Sequence, residues 1–325
     1  MGHGIKCKIK AGLKLATCGT LFYKTQWYQE MFVGADHETY PDNVWYRNHD
    51  ERNYDVVALG SSGGKWAYDF SDSGIKGMNW AQQPQTLLED FNLLRHYHSI
   101  LRKNGYVLIT IMPFTGLNKQ TGLRDAMKYL KIETQGEAIQ PNMYKKAQLY
   151  AQNPILFGKP AIKTLVKYLL GREQQQKKTH PFRLDSNPMT AEQLQEDAKR
   201  WMNGWKRQFS INDLEAPLTE ENQKGREYRI NLMRKLIDFC HERSYQPVYV
   251  IPPVTEYLAK KFTSKFRQIY IYDYLEQVDH DIPLLDYSND AAFMDKNLYF
   301  NSFFLNHRGA RLFTQRVLKD LGLIS

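Results

Sequence analysis

Two adjacent serines stand in a glycine-rich turn that follows a short apolar run. Residues 54–59 are mostly apolar, and residues 60–64 contain three glycines and both serines. The apolar run predicts a buried strand, and the glycines predict a tight turn that opens a helix. Such a turn exposes a hydroxyl, and backbone N–H groups at the start of the helix can hold an oxyanion. Ser62 is therefore a candidate nucleophile, and the candidate binding residues beside it are Gly60, Ser61 and Gly63.

The same turn permits a second interpretation, because a lysine follows its glycines. Lys65 could pair with an anion held by the backbone of residues 60–64. The spacing differs from both the P-loop pattern and the glycine pattern of dinucleotide-binding folds. Phosphate or nucleotide binding at the turn from Gly60 to Lys65 therefore stays open beside acyl chemistry.

A second polar segment lies near the carboxyl terminus, at residues 299–310, after a short run at residues 285–288. Together with the serine turn, it resembles the SGNH (GDSL-like) hydrolase superfamily. The nearest branch contains the D-alanyl-lipoteichoic acid biosynthesis protein and relatives from surface-polysaccharide gene clusters. The resemblance covers about residues 53–325, although the middle of the chain matches poorly. It is carried by Gly60, Ser61 and Ser62 in the first block and by Leu305, Asn306, Gly309 and Ala310 in the last.

The resemblance implies acyl-ester hydrolysis or transfer on bacterial surface carbohydrates, with Ser62 as the nucleophile and an acylated glycan as the partner. Residues 79–83 resemble the family's second block, whose usual glycine is missing. The family's oxyanion asparagine has no close match after the strand predicted at residues 106–111. The candidate binding residues are therefore Asn79, Gln82 and Gln83, with Asn118 as a distant candidate for the oxyanion donor.

The chain departs from the family at its acid and its base. Asn301 occupies the position of the family's catalytic Asp, and Phe304 occupies that of its catalytic His. A serine needs a base within hydrogen-bond reach, and that base needs an orienting acceptor. Asn301 cannot carry a negative charge, and Phe304 cannot accept a proton. We therefore expect a catalytically impaired SGNH-like protein that binds a glycan or a partner protein through the old cleft.

The alternative is an active O-acyl esterase or acyltransferase with a non-standard base. His307 follows Phe304 by about one helical turn, or about 5 Å along a helix. It could reach Ser62 only if the loop before it is reshaped. No group of His, Cys, Asp and Glu residues has metal-ligand spacing, so neither a metal nor a cofactor is predicted.

Alternating strands and helices position these residues. Four apolar runs predict strands, at residues 54–59, 106–111, 247–251 and 282–285. Helices are predicted at residues 84–103, 220–243, 256–268 and 306–321. This order predicts an α/β three-layer sandwich with a parallel, flavodoxin-like sheet, in which ligands bind beyond the carboxyl ends of the strands. Residues 123–209 have an irregular helical pattern and are expected to form an insertion in a domain that spans residues 53–325.

Composition sets the broad class of the protein. The 325 residues are 42% hydrophobic and 24% charged, close to the average for soluble globular domains, which excludes a disordered or fibrous chain. The net charge is +9, yet no Arg-rich run or recognition-helix pattern occurs, so nucleic acid is not expected as a partner. The three cysteines, at positions 7, 18 and 240, are too few and too scattered for a disulfide framework.

The first 52 residues are expected to form a basic arm. Lysines at positions 6, 8, 10 and 14 precede an uncharged run at residues 15–23. That run is too short to cross a bilayer, which needs about 20 apolar residues. The arm either packs on the domain or lies on an anionic membrane surface. We therefore expect a cytoplasmic protein, either free or held peripherally at the membrane.

Overall fold

The structure is a computed structural model that describes residues 52–117, 129, 145–146, 149, 185–279 and 281–325. The chain divides into two units, one with residues 1–49 and 120–180 and the other with residues 50–119 and 181–325. All elements named below belong to the second unit. Three sequence predictions lie outside the described residues: the basic arm, most of the insertion before residue 185, and the role of Asn118.

Five parallel strands form one sheet, which confirms the predicted α/β fold. Their order is β2-β1-β3-β4-β5, the flavodoxin-like order. Every neighbouring pair is parallel. The strands are β1 (Tyr54–Leu59), β2 (Gly77–Asn79), β3 (Leu101–Thr110), β4 (Gln246–Ile251) and β5 (Leu284–Asp286).

Helices connect and cover these strands. They are α1 (Ser62–Ala67), α2 (Leu87–Tyr97), α3 (Ala191–Gln208), α4 (Glu220–Glu242), α5 (Glu256–Ala259), α6 (Ser264–Arg267), α7 (Asp273–Val278) and α8 (His307–Asp320). A π-helical turn, Gln268–Tyr272, joins α6 to α7. Among the described residues, none of the helices combines the length and the apolar character that crossing a bilayer requires.

Two predicted helices differ from those in the structure. The helix predicted at residues 84–103 stops at Tyr97, and β3 begins four residues later, at Leu101. The helix predicted at residues 256–268 is two short helices, because Thr263 caps a new one: its hydroxyl accepts a hydrogen bond from Phe266 N. Capping by a threonine hydroxyl satisfies an N–H that the first turn leaves unpaired.

The central strands β1 and β4 are mostly buried, as in most parallel sheets, while β2 is half-buried and β5 is largely exposed. Val56 and Ala58 belong to one apolar core with Phe313 and Val317 of α8. Side chains alternate across a strand, so the fully buried Val57 points to the opposite face. Helix α4 packs against both β4 and α2.

A second apolar core, rich in aromatic residues, forms next to the carboxyl edge of the sheet. Helix α3 contributes Ala198, Met202 and Trp205 to it, although the sequence placed these residues in the insertion. Their spacing of three to four residues puts them on one helix face. The other aromatic members include Trp66 of α1, Phe114 after β3, and Phe300, Phe303 and Phe304 before α8.

Candidate functional site

A cleft of about 300 Å³ opens beyond the carboxyl ends of β1 and β3. This is the edge at which α/β sheets bind ligands. The main polar residues that line it, here called the polar wall, are Ser61, Ser62, Gln83, Gln85, Thr86 and Asp90. The aromatic residues that line it, here called the aromatic wall, are Phe114, Trp201, Trp205, Phe209 and Phe303.

The glycines of the serine turn allow a close approach to the end of β3. Gly60 has a φ of +139°, which disfavours any other residue. A Cβ at Gly60 would lie 2.7 Å from Thr110 Cβ, and one at Gly63 would lie 2.2 Å from Met112 Sδ. These glycines therefore have a packing role. Lys65 is nearly buried with its ammonium 4.7 Å from the Trp66 ring centroid, which gives phosphate binding at this turn little support.

The two serines lie at the start of α1. Ser61 precedes the helix in an extended conformation, and its Oγ accepts a hydrogen bond from Gln85 N at 3.3 Å. Ser62 is the first helical residue, and it lines the cleft as the nucleophile position requires. Of the described residues that line this cleft, none is a histidine.

Asp90 is a functional candidate that sequence reasoning missed. Its Oδ1 accepts a hydrogen bond from Gly60 N at 2.8 Å and another from the side chain of Gln85. Burial of the carboxyl group raises the pKa of Asp90 to about 7. A sequence signal existed: Asp90 stands three residues after Leu87 and four before Leu94, on the buried stripe of α2.

The neighbouring Glu89 has a structural role. Its carboxylate accepts hydrogen bonds from the backbone N–H of Thr86, at 2.7 Å, and from the Thr86 hydroxyl. This is a capping box, which fixes the first turn of α2. The first turn of α2 thereby orients Asp90 toward Gly60.

Of the three candidate residues in the predicted second block, two have structural roles and one lines the cleft. Asn79 Nδ2 donates to the carbonyls of Gly64 (3.1 Å) and Lys65 (3.2 Å), near the end of α1, and Asn79 does not line the cleft. Gln82 is fully buried, and its N–H donates to Gly60 O at 3.1 Å. Only Gln83 lines the cleft, where its Oε1 accepts from Trp66 Nε1 at 2.9 Å.

The loop before α8 contains Asn301 and Phe304, at the positions that the resemblance to the SGNH superfamily aligns with its acid and base. Asn301 Oδ1 accepts hydrogen bonds from the backbone N–H groups of Phe303 and Phe304, both at 2.8 Å. Phe304 is 4% exposed, and its ring centroid lies 5.3 Å from that of Trp201. Phe303, rather than Phe304, lines the cleft. Asn301 and Phe304 therefore both serve the packing of this loop.

Asp197 of α3 holds the same loop in place. Its Oδ2 accepts hydrogen bonds from Ser302 N (3.1 Å), Ser302 Oγ (2.6 Å) and Trp201 Nε1 (3.1 Å). A carboxylate with several donors is a strong acceptor. This one buried group thus connects α3 to the loop and orients Trp201 in the aromatic wall.

His307 lies away from the cleft. Its Nε2 is 2.8 Å from Asp69 Oδ2, and its Nδ1 is 2.8 Å from Arg311 Nη2. Because it does not line the cleft, this geometry gives no support to His307 as the base for Ser62. The rest of the last block is structural: Asn306 Oδ1 caps α8 by accepting from Gly309 N, and a Cβ at Gly309 would lie 2.0 Å from Leu298 O.

The described residues contain no cluster of three or more His, Cys, Asp or Glu side chains arranged to hold a metal ion. Compared with known protein families, the chain matches no family model, and its sequence matches no curated protein. The assignment of a function therefore rests on the residues of the cleft and on the motifs that resemble the SGNH superfamily.

Proposed function

We propose that the cleft binds an acylated carbohydrate with its ester beside Ser62, and that ester hydrolysis or transfer there is slow. One observation carries the proposal: Ser62 lines the same cleft as the aromatic wall, and no described residue lining this cleft is a histidine. A cleft with Ser62 and without a described histidine fits an acyl-transfer site that lacks the imidazole which normally activates the nucleophile.

The two walls support a carbohydrate as the ligand. A pyranose ring has an apolar face of C–H groups and an edge of hydroxyl groups. Trp201 and Trp205 offer aromatic surface for the face, while Ser61 and Thr86 bring hydroxyl groups to the lining for the edge. Ligand pockets usually range from about 300 to 1,000 Å³, so this cleft suits a small ligand such as one acylated sugar residue.

The loop before α8 supports slow turnover. General acid–base help contributes roughly 10²–10⁴-fold to reactions of this kind. Asn301 uses its side-chain oxygen to hold the backbone of its own loop, and Phe304 is packed among aromatic rings. Neither residue can supply that help.

Calorimetric titration with methyl 6-O-acetyl-glucopyranoside, beside the deacetylated glycoside, tests the binding. We expect the acetylated sugar to bind more tightly and Trp201→Ala to weaken binding about 10-fold or more. Tyr257→Ala is the matched control, because Tyr257 is a half-buried aromatic residue that does not line the cleft. Equal affinity for both sugars, or binding that ignores Trp201→Ala, would refute the proposal.

Hydrolysis of p-nitrophenyl acetate tests the activity. We expect slow hydrolysis by the wild type that disappears in Ser62→Ala. Fast, Ser62-dependent hydrolysis would contradict the proposal that turnover in this cleft is slow.

We also propose that the lysines at positions 6, 8, 10 and 14 attach the protein to anionic membranes. Electrostatic attachment weakens with salt, because the Debye length falls from about 10 Å at 0.1 M to about 3 Å at 1 M. Sedimentation with phosphatidylglycerol vesicles should therefore occur at low salt and be reversed at 1 M NaCl. Binding that persists at 1 M NaCl would contradict this mode of attachment.

A further inference from the structure

We propose that Asp90 is the proton acceptor for Ser62, in the role that a histidine has in the SGNH triad. This inference rests on the proposed function only in placing an acyl ester in the cleft. The residues that carry it are Ser62, Asp90 and the turn between them.

The ionisable residues that line the cleft leave one candidate proton acceptor. Of the described residues that line the cleft, only Asp90 and Arg229 have ionisable side chains of the acid or base type. An arginine keeps its proton in proteins and cannot act as a base at neutral pH. Asp90 is therefore the one described group in the cleft that can take up a proton.

Asp90 lies beside the serine turn, where it contacts Gly60. Its Oδ1 accepts from Gly60 N and from Gln85, and no hydrogen bond to its Oδ2 is found among the described residues. Asp90 also lines the cleft, so its carboxyl group has an oxygen that can take up a proton there. Gly60, which donates to Asp90 Oδ1, stands two residues before Ser62, and both Asp90 and Ser62 line the cleft. A base must lie within about 2.6–3.2 Å of the group that gives up the proton, or be joined to it by one water. The proposal requires this contact between Ser62 Oγ and the Asp90 carboxyl group when an ester is bound.

Burial and the neighbouring charges together set the pKa of Asp90. Burial is the main cause that raises its pKa to about 7, and the negative charge of Glu89 on α2 raises it further. The hydrogen bonds from Gln85 and Gly60, and the positive charge of Arg229 on α4, act in the opposite direction. The phenol of Tyr274 on α7 also faces this group, and burial keeps it protonated. With a pKa near neutral pH, part of Asp90 is in the ionised form that can accept a proton.

The proposed step balances without any other reactant than ester and water. Ser62 Oγ bonds to the ester carbonyl carbon, and its proton passes to the Asp90 carboxylate. The C–O bond to the sugar then breaks, and protonated Asp90 returns the proton to the leaving sugar oxygen. In the second half, water attacks the acyl-serine and gives a proton to Asp90, the acyl–Oγ bond breaks, and Oγ regains a proton.

Labelling with phenylmethanesulfonyl fluoride tests the proposal without requiring turnover. Ser62 Oγ displaces fluoride from the sulfonyl group, and its proton must go to a base. Mass spectrometry of peptides measures the labelling rate at Ser62 between pH 5.5 and 8.5. We expect the wild-type rate to rise with a midpoint near pH 7, and Asp90→Asn to lower it about 100-fold at pH 8. Asparagine keeps an Oδ1 that can accept from Gly60 N, so the turn is retained.

Glu89→Gln is the matched control, because Glu89 adjoins Asp90 and does not line the cleft. It should keep the labelling of Ser62 and move the midpoint to lower pH, since a charge that raises the pKa of Asp90 is removed. The shift of this midpoint also tests Asp90 as the proton acceptor if Asp90→Asn fails to fold. Absence of Ser62 labelling, equal rates in folded Asp90→Asn, or an unmoved midpoint in Glu89→Gln would each overturn the proposal.

The two proposals fail separately. Loss of sugar binding in calorimetry, with Asp90-dependent labelling intact, would refute the carbohydrate ligand and leave Asp90 as the base. Sugar binding that responds to Trp201→Ala, with labelling that ignores Asp90→Asn, would refute Asp90 and leave the ligand.

Discussion

The two walls of the cleft use their polar groups for different purposes. On the polar wall, Asp90 and Ser62 both line the cleft. Around the aromatic wall, the polar side chains of Asn301 and Asp197 accept hydrogen bonds from the loop before α8 and from Trp201. One wall thus presents reactive groups, while the other uses its polar groups to hold aromatic rings.

This difference shows that one cleft can combine side chains suited to chemistry with side chains used for packing. Gly60 allows the tight turn beside Ser62, and Asn306 caps α8. Asn301 and Phe304 serve the packing of the loop before α8. Ring pairs of this kind contribute about 0.5–1.5 kcal/mol each beyond their buried area. The aromatic wall is therefore held by many small ring contacts as well as by its hydrogen bonds.

The largest effect should come from removing the buried acceptor of the aromatic wall. Asp197→Ala leaves the N–H and hydroxyl of Ser302 and the indole N–H of Trp201 without their acceptor. We expect a loss of about 3–5 kcal/mol in the free energy of unfolding, measured in urea. Glu196→Ala is the control, because the Glu196–Lys199 pair is exposed and should cost under about 1 kcal/mol. Similar losses in both variants would contradict the role given to Asp197.

A smaller effect is expected from placing a histidine on the aromatic wall. Asn301→Asp with Phe304→His puts a polar ring into an aromatic cluster and should cost about 2–3 kcal/mol. Phe303→His should raise Ser62 labelling at pH 8 more, because Phe303 lines the cleft and Phe304 does not. Peptide mass spectrometry compares the two rates. A larger gain from the double variant would show that Phe304 still occupies the working position of the base.

Sequence reasoning found the elements that follow strong local rules and missed those set by tertiary contacts. Strands β1, β3 and β4 are apolar runs, whereas β2 is three half-buried residues without such a run. Asp90 escaped notice because an acidic residue in the first turn of a helix also fits the helix dipole. Its burial comes from packing against Gly60 and Gln85, which only the fold brings together. For the same reason, sequence alone could not separate Phe303 from Phe304.

A third prediction concerns stability and pH on the polar wall. The pKa of Asp90 rises from 3.8 to about 7 on folding, so the folded state holds a proton that the unfolded state releases between these values. Wild-type stability should therefore fall as pH rises from about 4 to about 7, at up to about 1.4 kcal/mol per unit. Asp90→Asn lacks this titration, so its stability relative to wild type should increase by about 1–2 kcal/mol from pH 5 to pH 7. Urea unfolding at both pH values measures it, and a constant difference would contradict the raised pKa.

The smallest effect is expected at His307, which belongs to neither wall. Its pair with Asp69 is partly exposed, with 32% of the His307 side chain accessible, and such pairs contribute at most about 1 kcal/mol. His307→Ala should therefore lower the free energy of unfolding by less than about 1 kcal/mol and leave Ser62 labelling unchanged from pH 5.5 to 8.5. Arg308→Ala, at the next position of α8, controls for local effects on the helix. A labelling rate at least 10-fold lower in His307→Ala alone would show that the loop moves and brings His307 to Ser62. The division between a reactive wall and a packing wall would then fail, because the last block would still supply the base.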